Sequence, residues 1–298
     1  MRDEFIEQLL SVATNDASIR LVTGDLGFGI FDAYRHQIPK QFINVGVAEQ
    51  FMMGFAAGLA MEGCKVITYS IGNFATMRCL EQIRNDVAYH QLPVIVVAVG
   101  AGFGYGPLGY SHHATEDIAI MRAIPNMNVY APGDASQARE ALTECLEQGW
   151  PAYIRLERGS SEEVSGDFRG GWASPGDAAQ REGNAVALVG VGGTQQIVER
   201  ASKTCGATPV YLSRVKPLPE SFVRFLDGFS NVVVVEEHNR DGGVYEAISC
   251  RLRRKVAHFS VSVPNVLSSV VGSQEYMRST YGLDAESVSN MVLGEVLA

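Results

Sequence analysis

No C-x-x-C pair occurs in the 298 residues, and the five cysteines (Cys64, Cys79, Cys145, Cys205 and Cys250) are scattered and odd in number. That argues against a disulfide framework and fits free thiols in a reducing cytoplasm. Basic stripes are also missing. The net charge is -9, and the one basic run (Arg251, Arg253, Arg254, Lys255) reads as a solvated helix face, so nucleic-acid binding is not expected. The N-terminus, Met1-Arg2-Asp3-Glu4, lacks the order of a signal peptide and leads into an amphipathic pattern. Charge is absent from Gln91 to Tyr110, a length that could span a bilayer. However, Pro93, Pro107 and five glycines interrupt it, so it reads as a buried strand, Val94 to Val99, followed by a glycine-rich loop. No membrane association is expected.

Short-period repeats and low-complexity tracts are lacking too. What is present is a globular composition, 46% hydrophobic and 19% charged, on a chain long enough for two domains. Apolar runs at Ile19, Lys65, Val94, Asn128 and Ala152 alternate with helical patterns over Glu49 to Met61, Ala75 to His90, Thr115 to Ala123 and Ala135 to Glu147. After a Gly-, Ser-, Asp- and Glu-rich stretch, strands are expected at Ala185, Pro209 and Asn231, with helices around Thr194, Glu220 and Val244 to Lys255. The pattern predicts an α/β protein with two doubly wound domains, 1–160 and 185–298, each on a mostly parallel sheet and joined by a linker over 161–184. Gly190-Val191-Gly192-Gly193 lacks the G-x-G-x-x-G spacing of a phosphate loop and reads as a structural turn.

One carboxylate stands out. In Phe42-Ile43-Asn44-Val45-Gly46-Val47-Ala48-Glu49-Gln50, Glu49 opens a long apolar helix rich in small residues. A helix dipole favours an acid in that position. Burying it costs several kcal/mol (order of magnitude) unless it is paired or its pKa rises, as a general acid/base requires.

The segment resembles the NVGIAEQ motif of the transketolase family. Other similar stretches follow in the right order: Glu81 to Asn85, Glu116 to Asn126, Val215-Lys216-Pro217-Leu218, and Glu236-Glu237-His238 with Gly242-Gly243. The resemblance implies the fold of a transketolase's second half, a pyrimidine-binding domain followed by the family's C-terminal domain. It also implies that Glu49 hydrogen-bonds the aminopyrimidine of thiamine diphosphate and drives its tautomerisation. Phe74 matches the aromatic on which that ring stacks, and Ile71 and Met77 take the places of two usually aromatic companions. Asp25 matches the ADL-type acid near the cofactor. His112, in Ser111-His112-His113, matches the THQ histidine that contacts substrate, and His113, which replaces the glutamine, is expected to contact substrate beside it. Adjacent histidines in a strand point apart, so no metal site is expected of the pair. Arg158 matches a strand-end arginine for a substrate phosphate, a group that a guanidinium fork suits, and Arg2 roughly matches a second.

Three departures thin the polar groups expected around a sugar phosphate: Leu108 for an acid, Gly100 for a histidine and Gly29 for a serine. They leave room for a bulkier or less polar acceptor. The family's G-D-G motif for Mg2+ and diphosphate is absent, since Gly24-Asp25-Leu26, Gly133-Asp134-Ala135 and Gly166-Asp167-Phe168 fail at the third position. The resemblance therefore implies the small subunit of a split transketolase in an α2β2 assembly. Its large subunit would hold Mg2+ and the diphosphate, and sugars or sugar phosphates would be substrates. Deoxyxylulose-phosphate synthases and the β-subunits of 2-oxo-acid dehydrogenases share the domain pair and remain enzymatic alternatives. A non-catalytic structural subunit is the alternative of another class.

Overall fold

The computed structural model describes every residue except Phe28, Ser160, Ser161, Asp167, Arg169, 176–185, Arg254 and Ala298. Its strands are β1 (Ile19–Thr23), β2 (Phe42–Asn44), β3 (Lys65–Ile71), β4 (Val94–Val99), β5 (Asn128–Tyr130) and β6 (Ala152–Leu156). They continue with β7 (Trp172–Ala173), β8 (Val186–Val191), β9 (Thr208–Leu212), β10 (Arg214–Lys216), β11 (Asn231–Asn239) and β12 (Ala257–Val263). The first sheet runs β10-β5-β6-β4-β3-β1-β2 and the second β12-β11-β8-β9-β7. Every pairing is parallel except the two that attach β10 to β5 and β7 to β9.

Parallel strands covered on both faces must be apolar on both, which explains the unbroken run Val94 to Val99. Val66, Val94, Val96 and Ala98 turn to one core, filled by Met52, Met53, Ala56 and Ala60 of the Glu49–Met61 helix. Ile67, Tyr69, Ile95, Val97 and Val99 turn to the other, filled from the Arg2–Asn15 and Ala135–Gln148 helices. The first of these cores continues without a break into the second sheet through Val189, Val191, Val210 and Val232.

Several expectations change. Within the stretch read as a linker, Trp172–Ala173 forms an edge strand whose indole packs on Phe222 and Phe225. Residues 176–185 lie outside the described residues and include the first residue of the strand expected at Ala185. β10 crosses back to the first sheet, so the later half of the chain completes the earlier half's sheet. The helix expected over Ala75 to His90 is a series of short turns, Gly72–Ala75, Met77–Cys79 and Leu80–Gln82, ending in a π-helix over Ile83–Ala88. Thr76, at φ -110° and ψ -81°, makes the first break. The helix expected over Val244 to Lys255 ends at Ser249.

A buried ion pair joins the two sheets. Arg155 on β6 donates through Nε to Asp117 Oδ2 at 2.8 Å, and Tyr153 Oη donates to the same oxygen at 2.6 Å. The other guanidinium arm donates to the carbonyls of Ala114 and Glu237, at 2.8 and 3.0 Å. Breaking such a pair strands a charge in low dielectric. Asp117→Ala is expected to lower unfolding free energy by about 3–5 kcal/mol, read from urea denaturation. Adding Arg155→Leu should recover part of that loss, and an additive or larger loss in the double variant would refute the pairing energetics.

Candidate functional site

β1 is followed by β2 on one side and β3 on the other, so the chain reverses its direction of travel across the sheet at β1. Crevices outside the carboxyl ends of strands at such a reversal are where open α/β sheets bind ligands. The segments after β2, β3, β4 and β6 carry Glu49, Phe74, His112 and Arg158 respectively.

Glu49 is 5% exposed at the start of its helix, and its Oε2 accepts from Arg78 Nη1 at 2.9 Å. The burial cost anticipated for this acid is therefore offset by pairing. The same guanidinium lies over the Phe74 ring, with its Cζ 4.4 Å from the centroid. One flat cation is thus held between a carboxylate and an aromatic face.

Phe74 reaches this position because Gly72 lets the Gly72–Ala75 turn press on the His112 loop, where a Cβ would fall 2.6 Å from the Ala114 Cβ. Asn73 closes the contact by donating to the carbonyls of His113 at 2.6 Å and Ser111 at 3.3 Å. As a result Phe74 and His112 meet edge to face, with centroids 5.1 Å apart. Ser111 Oγ lies 3.0 Å from His112 Nδ1, and Nε2 has no partner among the described residues. Partial burial, followed by the neighbouring His113, holds the His112 imidazole below its ordinary pKa, so it is neutral at pH 7.

Arg158 is exposed and stacks over Tyr105, its Cζ 4.7 Å from the centroid, while His112 approaches the same ring at 6.2 Å. Arg2 donates to Asp3 at 2.9 Å and lies within electrostatic reach of Tyr69 and Tyr105. Asp25, at φ 58°, is exposed, and its backbone N–H donates to Asn44 Oδ1 at 2.9 Å. Ile71 is half-buried and Met77 is exposed, flanking the Phe74 turn.

His113 does not join this group. Its side chain is buried edge-on against Phe103, with Nε2 3.2 Å from the Gly106 carbonyl. The two histidines thus have separate partners, and among the described residues no three His, Cys, Asp or Glu side chains converge as a metal site. Gly100 does not open the space expected of it either, because the Tyr105 ring occupies the position a side chain there would take. Glu157 packs directly on Gly193, which suits a structural turn and not a phosphate loop.

Arg78, Asn73 and Tyr105 were not singled out from the sequence. Arg78 and Asn73 flank the Phe74 motif, and that adjacency was the only signal. The family-implied group is thiamine diphosphate, and its flat, nitrogen-edged pyrimidine fits a carboxylate and ring face that already hold a planar cation.

Residues 1–163 match the family model of the transketolase pyrimidine-binding domain. An apulose-4-phosphate transketolase subunit of Phocaeicola vulgatus is 30% identical over 98% of this chain and 96% of that protein. Its namesake from Actinobacillus succinogenes is 28% identical over 97% and 96%. A split gene transketolase, solved as an inactive beta4 tetramer, superposes with a TM-score of 0.84 at 28% identity, covering 99% and 97% of the two chains. The 1-deoxy-D-xylulose-5-phosphate synthase of Yersinia pestis is 30% identical over 97% of this chain, which spans 47% of that protein. The chain belongs to the transketolase family and corresponds over nearly its whole length to the small subunits of split transketolases.

Proposed function

We propose that this chain is the pyrimidine-side half of a thiamine diphosphate-dependent transketolase that moves a two-carbon ketol unit from a ketose to an aldose or other carbonyl acceptor. The observation that carries the reading is the convergence of Glu49, Phe74 and His112 at the carboxyl edge of one sheet. When bound, the cofactor supplies the nucleophilic carbon and the electron sink for carbon–carbon bond cleavage. Glu49 would hold the pyrimidine ring nitrogen through a proton that the two share once the carboxylate has given up Arg78. Phe74 orients the ring by stacking, and the apolar Ile71 and Met77 exclude water beside it. Neutral His112 donates from Nε2 to the substrate oxygen or takes its proton. Arg158, with Arg2 behind Tyr105, binds the distal anion of a sugar phosphate. Apulose 4-phosphate, for which two relatives are named, is the donor to assay first.

A large subunit bearing the G-D-G motif would hold Mg2+ and the diphosphate in an α2β2 complex. Two of this chain's own Gly-Asp pairs are otherwise employed, which supports that division. Asp25 is tied to Asn44, and Asp134 caps the Ala135–Gln148 helix by accepting from the Gln137 N–H. Asp167 lies outside the described residues. Localisation in the cytoplasm is proposed as well, and among the described residues no helix is long and apolar enough to cross a membrane. The likeness to deoxyxylulose-phosphate synthases favours one second reading, a decarboxylating ThDP enzyme, which carbon dioxide release from pyruvate by the complex would distinguish.

In the assembled complex, Glu49→Gln is expected to cut kcat by about 10²–10⁴-fold while size-exclusion chromatography still finds the assembly. Near-normal turnover would sink the assignment. Asn73→Ala should lower kcat/KM by about tenfold or more through loosened placement of Phe74 against His112, with the melting temperature little changed. Arg158→Met should raise KM for a phosphorylated substrate and leave kcat near wild type, the pattern of lost uniform binding. Equal KM values for the two proteins would remove Arg158 from the site.

A further inference from the structure

We infer that Arg78 is a built-in occupant of the pyrimidine site, a side chain that fills both contacts and must leave before the cofactor ring can enter. The inference rests on the proposed function and concerns how that site is held before loading. The guanidinium shares two features with an aminopyrimidine: it is planar, and its edge can present N–H to a carboxylate. Nη1 lies 2.9 Å from Glu49 Oε2, and Cζ lies 4.4 Å over Phe74. The other approach to Phe74 is taken by the edge contact with His112. A flat ring stacked on the same face and bonded to the same carboxylate cannot coexist with Arg78 in this position.

The surroundings allow the side chain to leave without disturbing the core. Arg78 is 46% exposed, whereas Glu49 is 5% exposed, so the arginine opens to solvent and the acid does not. Its backbone belongs to the short Met77–Cys79 turn, which is anchored by the buried Cys79, whose Sγ lies 3.2 Å from the Phe74 carbonyl. The motion is therefore one of side-chain rotamers. Arg78 neutralises a carboxylate that would otherwise be desolvated without a partner. Cofactor binding then becomes an exchange of one planar group for another, and the site binds more weakly than its geometry alone would allow.

Isothermal titration of thiamine diphosphate, with Mg2+ present, into the complex of the full chain with its large subunit tests this directly. Arg78→Met and Arg78→Gln are each expected to lower Kd by about fivefold, the worth of a half-exposed ion pair with a cation–π contact. Arg78→Lys keeps the charge but loses the planar face, and should fall between them and wild type. If wild type binds and both the Met and Gln variants bind equally or more weakly, Arg78 is not an occupant of the site and the inference is overturned. If no variant and no wild-type complex binds the cofactor, the underlying function fails and takes the inference with it. Binding by the Met variant alone would support the occupant in its strongest form. A crystal structure of the loaded complex should find Arg78 away from Phe74, and an unmoved guanidinium would equally refute the proposal.

Discussion

The arrangement depends on one buried pair, Asp117 with Arg155. Both side chains are withdrawn from water, at 0% and 2% exposed, and every arm of the guanidinium that reaches a partner reaches a different segment. Asp117 opens the helix after the His112 loop, Ala114 belongs to that loop, and Glu237 lies on β11 of the second sheet. A charge at this depth is tolerable only when paired, and Asp117 Oδ2 accepts from both Arg155 and Tyr153. The pair therefore sets the distance between the two sheets and the height of the loop above the first. Asn73 and Gly72 transmit that height to Phe74. The face that carries Glu49, Phe74 and His112 is thus built downward from an ion pair that touches none of these three side chains.

The second pair, Glu49 with Arg78, differs in kind. Its acid is buried and its base half in solvent, so its two members have unequal freedom. A fully desolvated pair is rigid because separation strands both charges. A pair with one exposed member is exchangeable, because the departing cation is rehydrated. The same chemistry, arginine against carboxylate, accordingly serves as a fixed strut in one place and a replaceable occupant in the other.

Much was legible from the chain. The strand–helix alternation follows from the demand that parallel strands be apolar on both faces, and it located β1, β4 and β6 with matching bounds. The motif around Glu49 carried its position at a helix start, and that around Phe74 carried its neighbourhood. Other features were not legible because they depend on partners distant in sequence. β7 and β10 are two and three residues long, too short to carry a period, and exist only because β9 and β5 present edges to them. The break at Thr76 lies inside an otherwise helical pattern. His113 reads as a substrate contact beside His112, yet Phe103 and Gly106 enclose it. Tyr105 fills the space that Gly100 vacates, a compensation between residues five apart that no local pattern encodes.

By itself the sequence determined the fold class and the family, because each is written in local periodicity or contiguous motif, and it singled out Glu49 as the acid to test. It also established that Gly24-Asp25-Leu26, Gly133-Asp134-Ala135 and Gly166-Asp167-Phe168 depart from the family's diphosphate motif. Tertiary structure alone decided what faces that acid. Glu49 meets Arg78 across 29 residues, and Arg155 meets Glu237 across 82, so their energies depend on burial and distance, which exist only once the chain has folded.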